Sequence, residues 1–466
     1  MSSRYQDSDL LSSPAFTALC EFIRDRSERG AEVSFSEYER ELREHFSAVE
    51  THVLGEQLAR YDVDAEAIEM DEKVWRRKRR SKHRYCGIAG EFEVERWTYV
   101  PRGGGGDVSP MERRAGIVEG FLTPRAACVV AQSVAGSTPK EAHALFVELG
   151  GMAPSTSTLD RIPKALSERW ESKREPFDND LREQETVPAE AVAVAVSIDG
   201  VHVPMKDGGR AERRTGKEKR PQGPAGFREV ACGTVTLLDE QGERLQTVRY
   251  GRQPEKNKET LKSQVEAELA SIVNARDDLT VVALADGARD NWQYFGDLAE
   301  SLGIECVEAV DFFHVCERLK KALDAYYGEH SPKSKAYFEK LKVLLQEKDD
   351  GAERVIRALR SRRARASGWR QKTIDAQLRY FRRYREKMPY KRLQDRSLPI
   401  GSGVVEAACK TLASARLKRS GMAWRLPGVQ AILTLRSLIQ SERWPRGWDL
   451  LAAEYRSEVR PIDRAA

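Results

Sequence analysis

The sequence predicts an α/β fold, a mixed sheet carrying a large all-helical insertion, behind a mainly helical N-terminal region. Three observations predict it. Short β-permissive apolar runs recur between Ala189 and Val310; Phe312 to Met388 has helical periodicity and is rich in Arg, Tyr and Leu; and residues 1 to about 70 repeat apolar side chains at helical spacing. With 466 residues, 40% of them hydrophobic and 32% charged, the chain has material for several domains, which excludes a lone small module and wholesale disorder. Its longest apolar runs, such as Ala191 to Val196 and Val281 to Ala285, fall far short of the roughly 20 residues of a membrane span. Met1 to Asp9 is polar and offers no signal-peptide pattern, so no membrane partner is expected. Seven cysteines without a C-x-x-C pair fit reduced thiols in a cytoplasm and indicate no zinc site.

The elements follow in order. Phe16, Leu19, Phe22 and Ile23 form one helical stripe and Leu42, Phe46, Val49 and Val53 another, within a helical segment 1–75. Residues 76–123 hold a basic segment, then a hairpin read from the alternation in Tyr85 to Val100, then the Pro101 to Gly106 break. In 124–186, two helices, a Gly150-Gly151 turn and a Ser/Thr-capped third helix suggest a helix-turn-helix; Pro163 is expected to limit or kink the third helix. A plain packed helical hairpin gives the same pattern. Ala189 to Ile198 reads as a strand ending in Asp199, and Lys206 to Gly226 as a mobile charged loop. Arg228 to Leu238 and Glu243 to Tyr250 form a hairpin about Asp239 to Gly242. A helix from Pro254, a strand Leu279 to Ala285 and a strand Ile304 to Val310 complete a three-stranded meander followed by helix, strand, helix, strand. That is the order of an RNase H-like sheet, assigned to 187–330 and 397–445 and interrupted by a helical insertion over 331–396. A new helix is expected near Val404, and the last helices are placed over Gln430 to Glu442 and Trp448 to Val459, with 446–466 a C-terminal helix and tail.

Charge is unevenly distributed. Glu353 to Arg396 carries sixteen Lys/Arg against four Asp/Glu, a local +12, so with a net charge of +5 the rest of the chain sums to −7. Arg76, Arg77, Lys78, Arg79, Arg80, Lys82 and Arg84 form a second cluster. Clustered cations gain affinity for a phosphate backbone by releasing counterions, so double-stranded DNA is the expected partner; a solvated element face is the rival. Within the blocks, Arg362, Arg363, Arg382 and Arg383 are candidate DNA contacts alongside Arg76 to Arg80.

Three carboxylates stand out: Asp199 and Asp286, each following an apolar run and preceding Gly, and Glu406 near the start of a late helix. Acids from adjacent strand ends and a helix laid across them suit two Mg²⁺ ions about 3.5 to 4 Å apart, one activating the attacking oxygen and the other stabilising the leaving one. Mg²⁺ is hard and prefers oxygen donors; Mn²⁺ accepts the same set.

The motifs Ser197-Ile198-Asp199-Gly200, Leu284-Ala285-Asp286-Gly287-Ala288, Asp311-Phe312-Phe313-His314 and Pro399 to Lys410 resemble those of bacterial insertion-sequence transposases of the ISKra type, within the Mutator-like group. Arg416 to Trp424 is also similar, and the resemblance covers roughly residues 190 to 445. It implies a catalytic D-D-E triad at Asp199, Asp286 and Glu406, with a helical insertion in the 119 residues between the last two. It also implies a D-x-x-H element at Asp311 and His314, where His314 either orients a scissile phosphate or hydrogen-bonds Asp311. Lys410, Arg416, Lys418 and Arg419 are candidate phosphate contacts, and Trp424 either stacks on an unpaired base or packs in the core. Cys316 and Cys409 read as packed thiols.

The expected function is therefore DNA strand cleavage and 3′-OH transfer by a homo-oligomer in a bacterial cytoplasm, at the nucleoid. Its rivals are an RNase H-like nuclease acting by hydrolysis only and a domesticated, non-catalytic DNA-binding protein.

Overall fold

A computed structural model describes residues 11–29, 34–101, 104–206 and 226–462. The chain divides into two compact units, Met1–Phe177 with Trp444–Ala466, and Asp178–Arg443.

The first unit opens with helices α1 (Pro14–Arg29) and α2 (Phe35–Ala59), which pack together with Arg26 paired to Glu41. A four-stranded sheet follows in the order β3-β2-β1-β9, from β1 (Ala67–Met70), β2 (Lys73–Gly87), β3 (Gly90–Pro101) and β9 (Val459–Pro461). Two expectations change here. The helical segment ends before β1, and the basic cluster lies inside β2 rather than ahead of the hairpin, because Arg76 to Arg84 pair with Val100 to Glu93 of β3. The β1–β2 turn puts Asp71 and Glu72 at φ 52° and 58°, the mirror-type turn that hairpins favour but that sequence reading expects from Gly or Asn. Pairing of Met70 with Val459 likewise turns the end of the expected last helix into a strand, a contact between distant residues that local periodicity does not register.

Helices α3 (Pro110–Ala115), α4 (Pro124–Gly136), α5 (Pro139–Leu149) and α6 (Thr156–Ser172) follow, with α7 (Arg174–Gln184) after them. A capping box of Thr138 and Glu141 starts α5, and Ser155 caps α6 by accepting from Thr158 N at 3.2 Å. Pro163 does not stop α6, which runs on to Ser172. Pro163 is buried in a row with Leu159, Ile162, Leu166 and Trp170, and that packing outweighs the roughly 3 kcal/mol cost of an interior proline. Helix α18 (Trp444–Ala453) belongs to the same unit.

The second unit is built on a five-stranded sheet in the order β6-β5-β4-β7-β8. Strands β4 (Ala193–Met205), β5 (Gly226–Leu238) and β6 (Arg244–Arg252) form the antiparallel meander; β7 (Thr280–Ala285) and β8 (Cys306–Val310) add parallel strands on the other side. The expected mobile loop falls, over 207–225, outside the described residues. Alternation along β4 sorts its side chains: Val194, Val196 and Ile198 join one core with Leu261, Val265 and Leu269 of α8 (Glu259–Ala275), whereas Ala193 and Ala195 join another with Val282, Leu284 and Leu393. Arg443 pairs with Glu268 at 2.6 Å and donates to Tyr250 Oη at 3.1 Å, a fully buried link between α8 and β6.

After β7 comes α9 (Arg289–Leu302), and after β8 a helical block: α10 (Phe312–Tyr327), α11 (Pro332–Glu347), α12 (Gly351–Ala364), α13 (Gly368–Tyr384) and α14 (Tyr390–Gln394). The helix expected near Val404 is short, α15 (Gly403–Ala408), and widens into a π segment at Cys409–Ser414 before α16 (Ala415–Leu417) and α17 (Leu426–Gln440). Such widening is common where a helix serves a site. Among the described residues, no helix is long and apolar enough to cross a membrane.

Candidate active site

Asp199 is not at the end of its strand, as expected, since β4 continues to Met205. It is where β4 loses one neighbour. The parallel pairing with β7 stops at Ser197 and Leu284, while antiparallel pairing with β5 continues through Asp199 and Cys232. The sheet therefore splits open on the β7 side beside the Asp199 carboxylate. Burial pushes the Asp199 pKa up, and the nearby Asp286 charge adds to it, against a hydrogen bond from Gly200 N at 2.7 Å.

Asp286 directly follows β7, and its Oδ1 accepts from Ala288 N at 3.0 Å and Asn291 Nδ2 at 3.1 Å. Trp292 Nε1 donates to the Asp286 carbonyl at 3.0 Å, so both ends of the residue are held by the start of α9. Gly287 is needed for space: a Cβ there would fall inside the Tyr380 ring, with Tyr380 Cζ and Oη each 2.9 Å away. Tyr384 Oη donates to the Gly287 carbonyl at 2.8 Å.

Glu406 lies on α15 and keeps 45% of its side-chain surface exposed. Burial of the rest raises its pKa, and the charges of Asp311 and Asp199 raise it further. Asp199, Asp286 and Glu406 are thus brought into one electrostatic neighbourhood, Asp199 feeling Asp286 and Glu406 feeling Asp199.

Asp311 sits under this group with no exposed surface. It caps α10 by accepting from His314 N at 2.7 Å, and also accepts from Ser402 Oγ at 2.7 Å and from Ser402 N. Burial alone would raise its pKa, but these hydrogen bonds and that from the His314 ring hold it down at about 2. His314 Nδ1 lies 3.2 Å from Asp311 Oδ1 and 3.7 Å from Glu406 Oε1. Its hydrogen bond to Asp311 lifts the imidazole pKa to about 9, so the ring is protonated at neutral pH. Of the two roles foreseen for His314, the hydrogen bond to Asp311 is present. The ligand atoms of Asp311, His314 and Glu406 all lie within 4.8 Å of one another, a spacing that suits a metal ion. With Asp311 engaged by Ser402 and His314 protonated, we read this trio chiefly as a brace for Glu406.

The thiols behave as packed groups. Cys409 Sγ lies 3.8 Å from Asp199 Oδ2 and its pKa is pushed far up, first by Cys232 and then by burial; burial pushes Cys316 up to about 12.

The candidate DNA contacts divide. Arg76, Arg77, Lys78, Arg79 and Arg80 are all exposed along β2. Arg77 pairs with Asp64, Lys78 with Asp107 at 2.7 Å and Arg80 with Glu95 at 3.5 Å, while Arg77 lies over Trp97 at 4.6 Å. Arg363 pairs with Asp375 at 2.8 Å, and Arg382, Arg383, Lys410, Lys418 and Arg419 are exposed. Arg362 and Arg416 are buried, which corrects their assignment as phosphate contacts. The Arg362 guanidinium lies over Tyr337 at 4.2 Å and donates to Ala358 O at 2.8 Å; Arg416 lies over Trp424 at 5.1 Å. Trp424 is half-buried, donates to Leu417 O at 2.9 Å and bridges to Met205 at the end of β4, which is the packing role of its two readings.

Sequence reasoning missed Asn291, Tyr380, Tyr384 and Ser402. Ser402 lies between Gly401 and Gly403 within the Pro399 to Lys410 motif, and Asn291 lies five residues beyond Asp286. The tyrosines gave no signal, being part of a block rich in them. No protein-family model matches the chain, and no curated protein matches it.

Proposed function

We propose that the protein is a DNA transposase of the D-D-E type built on an RNase H-like core, cleaving strands and joining the freed 3′-hydroxyl to target DNA. One observation supports this reading: Asp199, on β4 just past the point where pairing with β7 stops, feels the charge of Asp286, which directly follows β7, and Glu406 on α15 feels Asp199, on a sheet of order β6-β5-β4-β7-β8. The donor set suits Mg²⁺ or Mn²⁺. All three donors are carboxylates, and the raised pKa values of Asp199 and Glu406 record a cost of burial and like charge that a divalent cation relieves. Asp199, Asp286 and Glu406 would hold two such ions, which supply activation of a water or 3′-hydroxyl and neutralisation of the phosphate charge.

The chain's own residues do the positioning. Asn291 and the α9 backbone fix the Asp286 carboxylate, and Asp311 clamps the Ser402 loop that leads into Glu406. Protonated His314 balances Glu406. Exposed Lys410 and Arg419 follow on the same stretch, and the cations along β2 offer further phosphate contacts. DNA is the proposed partner, and a homo-oligomer is proposed because two element ends must be joined.

The test starts from the DNA flanking the gene, where the reading expects inverted repeats, and uses those repeats as substrate. Wild-type chain with Mg²⁺ is expected to nick repeat ends and to join pre-cleaved 3′ ends to a plasmid. Asp199→Asn, Asp286→Asn and Glu406→Gln should each lose both activities by about 10² or more while still binding the repeats. Nicking without joining would reduce the reading to a nuclease. Full activity in Asp199→Asn would refute it.

A further inference from the structure

A cleft of about 930 Å³ lies in the second unit, walled by α10, α11 and the start of α13. It lies next to the acid cluster: α10 starts at Phe312, directly after Asp311, and its second residue, Phe313, lines the cleft and packs against Gly401, where a Cβ would be 3.0 Å from the ring. Two large aromatic side chains open into it, Phe313 at 59% and Trp369 at 65% exposure. Phe35, Phe46 and Phe227 are about as exposed elsewhere, but here two such rings share one deep cleft, which marks it as a binding surface.

The charges narrow the occupant. Lys320, Lys321, Lys342 and Arg370 line the cleft against Glu317, Asp324 and Glu329. Asp324 is taken up by Lys320 and by Ser334 Oγ at 2.6 Å, which leaves three cations facing two carboxylates. The Arg370 guanidinium stands 5.8 Å from the Trp369 ring centre, so an aromatic face and a cation are offered side by side. The local +12 of residues 353–396, which include Trp369, raises the potential around the cleft further. Flat aromatic faces next to flexible cations are what an unstacked base and its phosphates require, and a duplex, whose bases are already stacked, cannot use the rings.

We propose that this cleft binds a short single-stranded DNA segment, its bases stacked on Trp369 and Phe313 and its phosphates met by Lys321, Lys342 and Arg370. The inference rests on the DNA reading of the neighbouring acids and deepens it. It assigns to the helical insertion the task of holding the strand that is unpaired when an end is opened at the carboxylates.

The experiment compares fluorescence anisotropy of a labelled 12-mer of oligo(dT), the same length of oligo(U) and a 12-base-pair duplex on the full chain, without divalent cation. Trp369→Ala is expected to weaken oligo(dT) binding about tenfold and duplex binding less than twofold, and Trp369→Phe to restore most of the loss. The Lys321→Ala/Lys342→Ala pair should lower the dependence of oligo(dT) affinity on salt. Thermal unfolding checks folding, and the exposed Trp369 should change it little. Equal losses for single strand and duplex, or none in Trp369→Ala, would overturn the proposal; tighter binding of oligo(U) than of oligo(dT) would overturn the DNA assignment. Asp199→Asn separates the two readings: if it still cleaves, the catalytic reading fails while a Trp369-dependent preference for single strands stands, and if it is dead but that preference is absent, only the cleft assignment fails.

Discussion

Gly287→Ala tests whether the helical block sets the position of Asp286. The added methyl would enter the Tyr380 ring, and the ring has little room to retreat: it meets Tyr384 edge-on at 5.0 Å, Phe381 at 6.2 Å and the Arg318 guanidinium at 5.0 Å. The loop Asp286–Ala288 must therefore shift. Overpacking of this kind costs about 1–3 kcal/mol, or a fall of roughly 2–5 °C in the unfolding midpoint for a unit of this size. Moving the loop also displaces Asp286 from Asn291, so strand cleavage should fall more steeply than stability. Tyr380→Ala removes the obstacle and leaves a cavity with its own cost. In that background Gly287→Ala should cost less than about 0.5 kcal/mol, a coupling of 1–3 kcal/mol in a double-mutant cycle read by urea and thermal unfolding. Additive effects within about 0.5 kcal/mol would refute the reasoning.

EDTA is expected to abolish cleavage of repeat DNA and Mg²⁺ or Mn²⁺ to restore it, with DNA binding measured by gel shift unaffected in either state. Stability of the metal-free chain should fall at both pH extremes through the Asp311–His314 pair. Asp311, depressed from 3.8 to about 2, contributes above its unfolded value and loses that contribution as the pH falls through about 2; His314, raised from 6.5 to about 9, contributes below its unfolded value and loses it as the pH rises through about 9. The acid limb is worth about 2 kcal/mol, the alkaline limb less than its shift suggests because His314 is partly exposed, and Asp311→Asn should flatten both in midpoint-versus-pH curves. Arg443→Met leaves buried Glu268 with only Tyr250 Oη at 2.6 Å and the Arg182 guanidinium at 4.0 Å and should cost about 3 kcal/mol in chemical denaturation, whereas adding Glu268→Met should recover much of it. Raising salt from 50 to 200 mM should weaken duplex binding at least tenfold if the β2 and insertion cations neutralise phosphates; a flat response would remove them from the interface.

The central sheet was legible because β4, β7 and β8 hold short apolar runs, β7 and β8 each followed by an acid, and because β4, β5 and β6 follow chain order in a meander. Asp199 and Asp286 were found for the same reason, since an acid after an apolar run is a local pattern. Where β4 ends was not legible: Val201, Val203 and Met205 alternate beyond Asp199, and only the pairing with β5 shows that the strand continues. The N-terminal sheet was half missed because β2 is a strand made of cations, whose apolar partners lie on β3 and α2, in Phe92, Val94 and Leu54. Arg362 and Arg416 illustrate the limit of counting charges. Each belongs to a basic run, yet Arg362 is met by the rings of Tyr337 and Tyr327, 25 and 35 residues away in the chain, and Arg416 by that of Trp424, eight residues away.

The helical insertion would be a passive spacer if its contacts with the sheet were merely apolar, and they are not. Three of its tyrosines reach the backbone at the ends of the two parallel strands: Tyr380 lies on Gly287, Tyr384 Oη donates to the Gly287 carbonyl, and Tyr390 Oη donates to the Val310 carbonyl at 2.9 Å. Those two peptides immediately follow Asp286 and precede Asp311. The Tyr384 and Tyr390 hydroxyls each satisfy a carbonyl at the end of a parallel strand, and an unmet buried carbonyl costs about 1–3 kcal/mol. It follows that excising 331–396 would not leave the acid cluster intact; it would strip the supports from the peptides that follow Asp286 and precede Asp311.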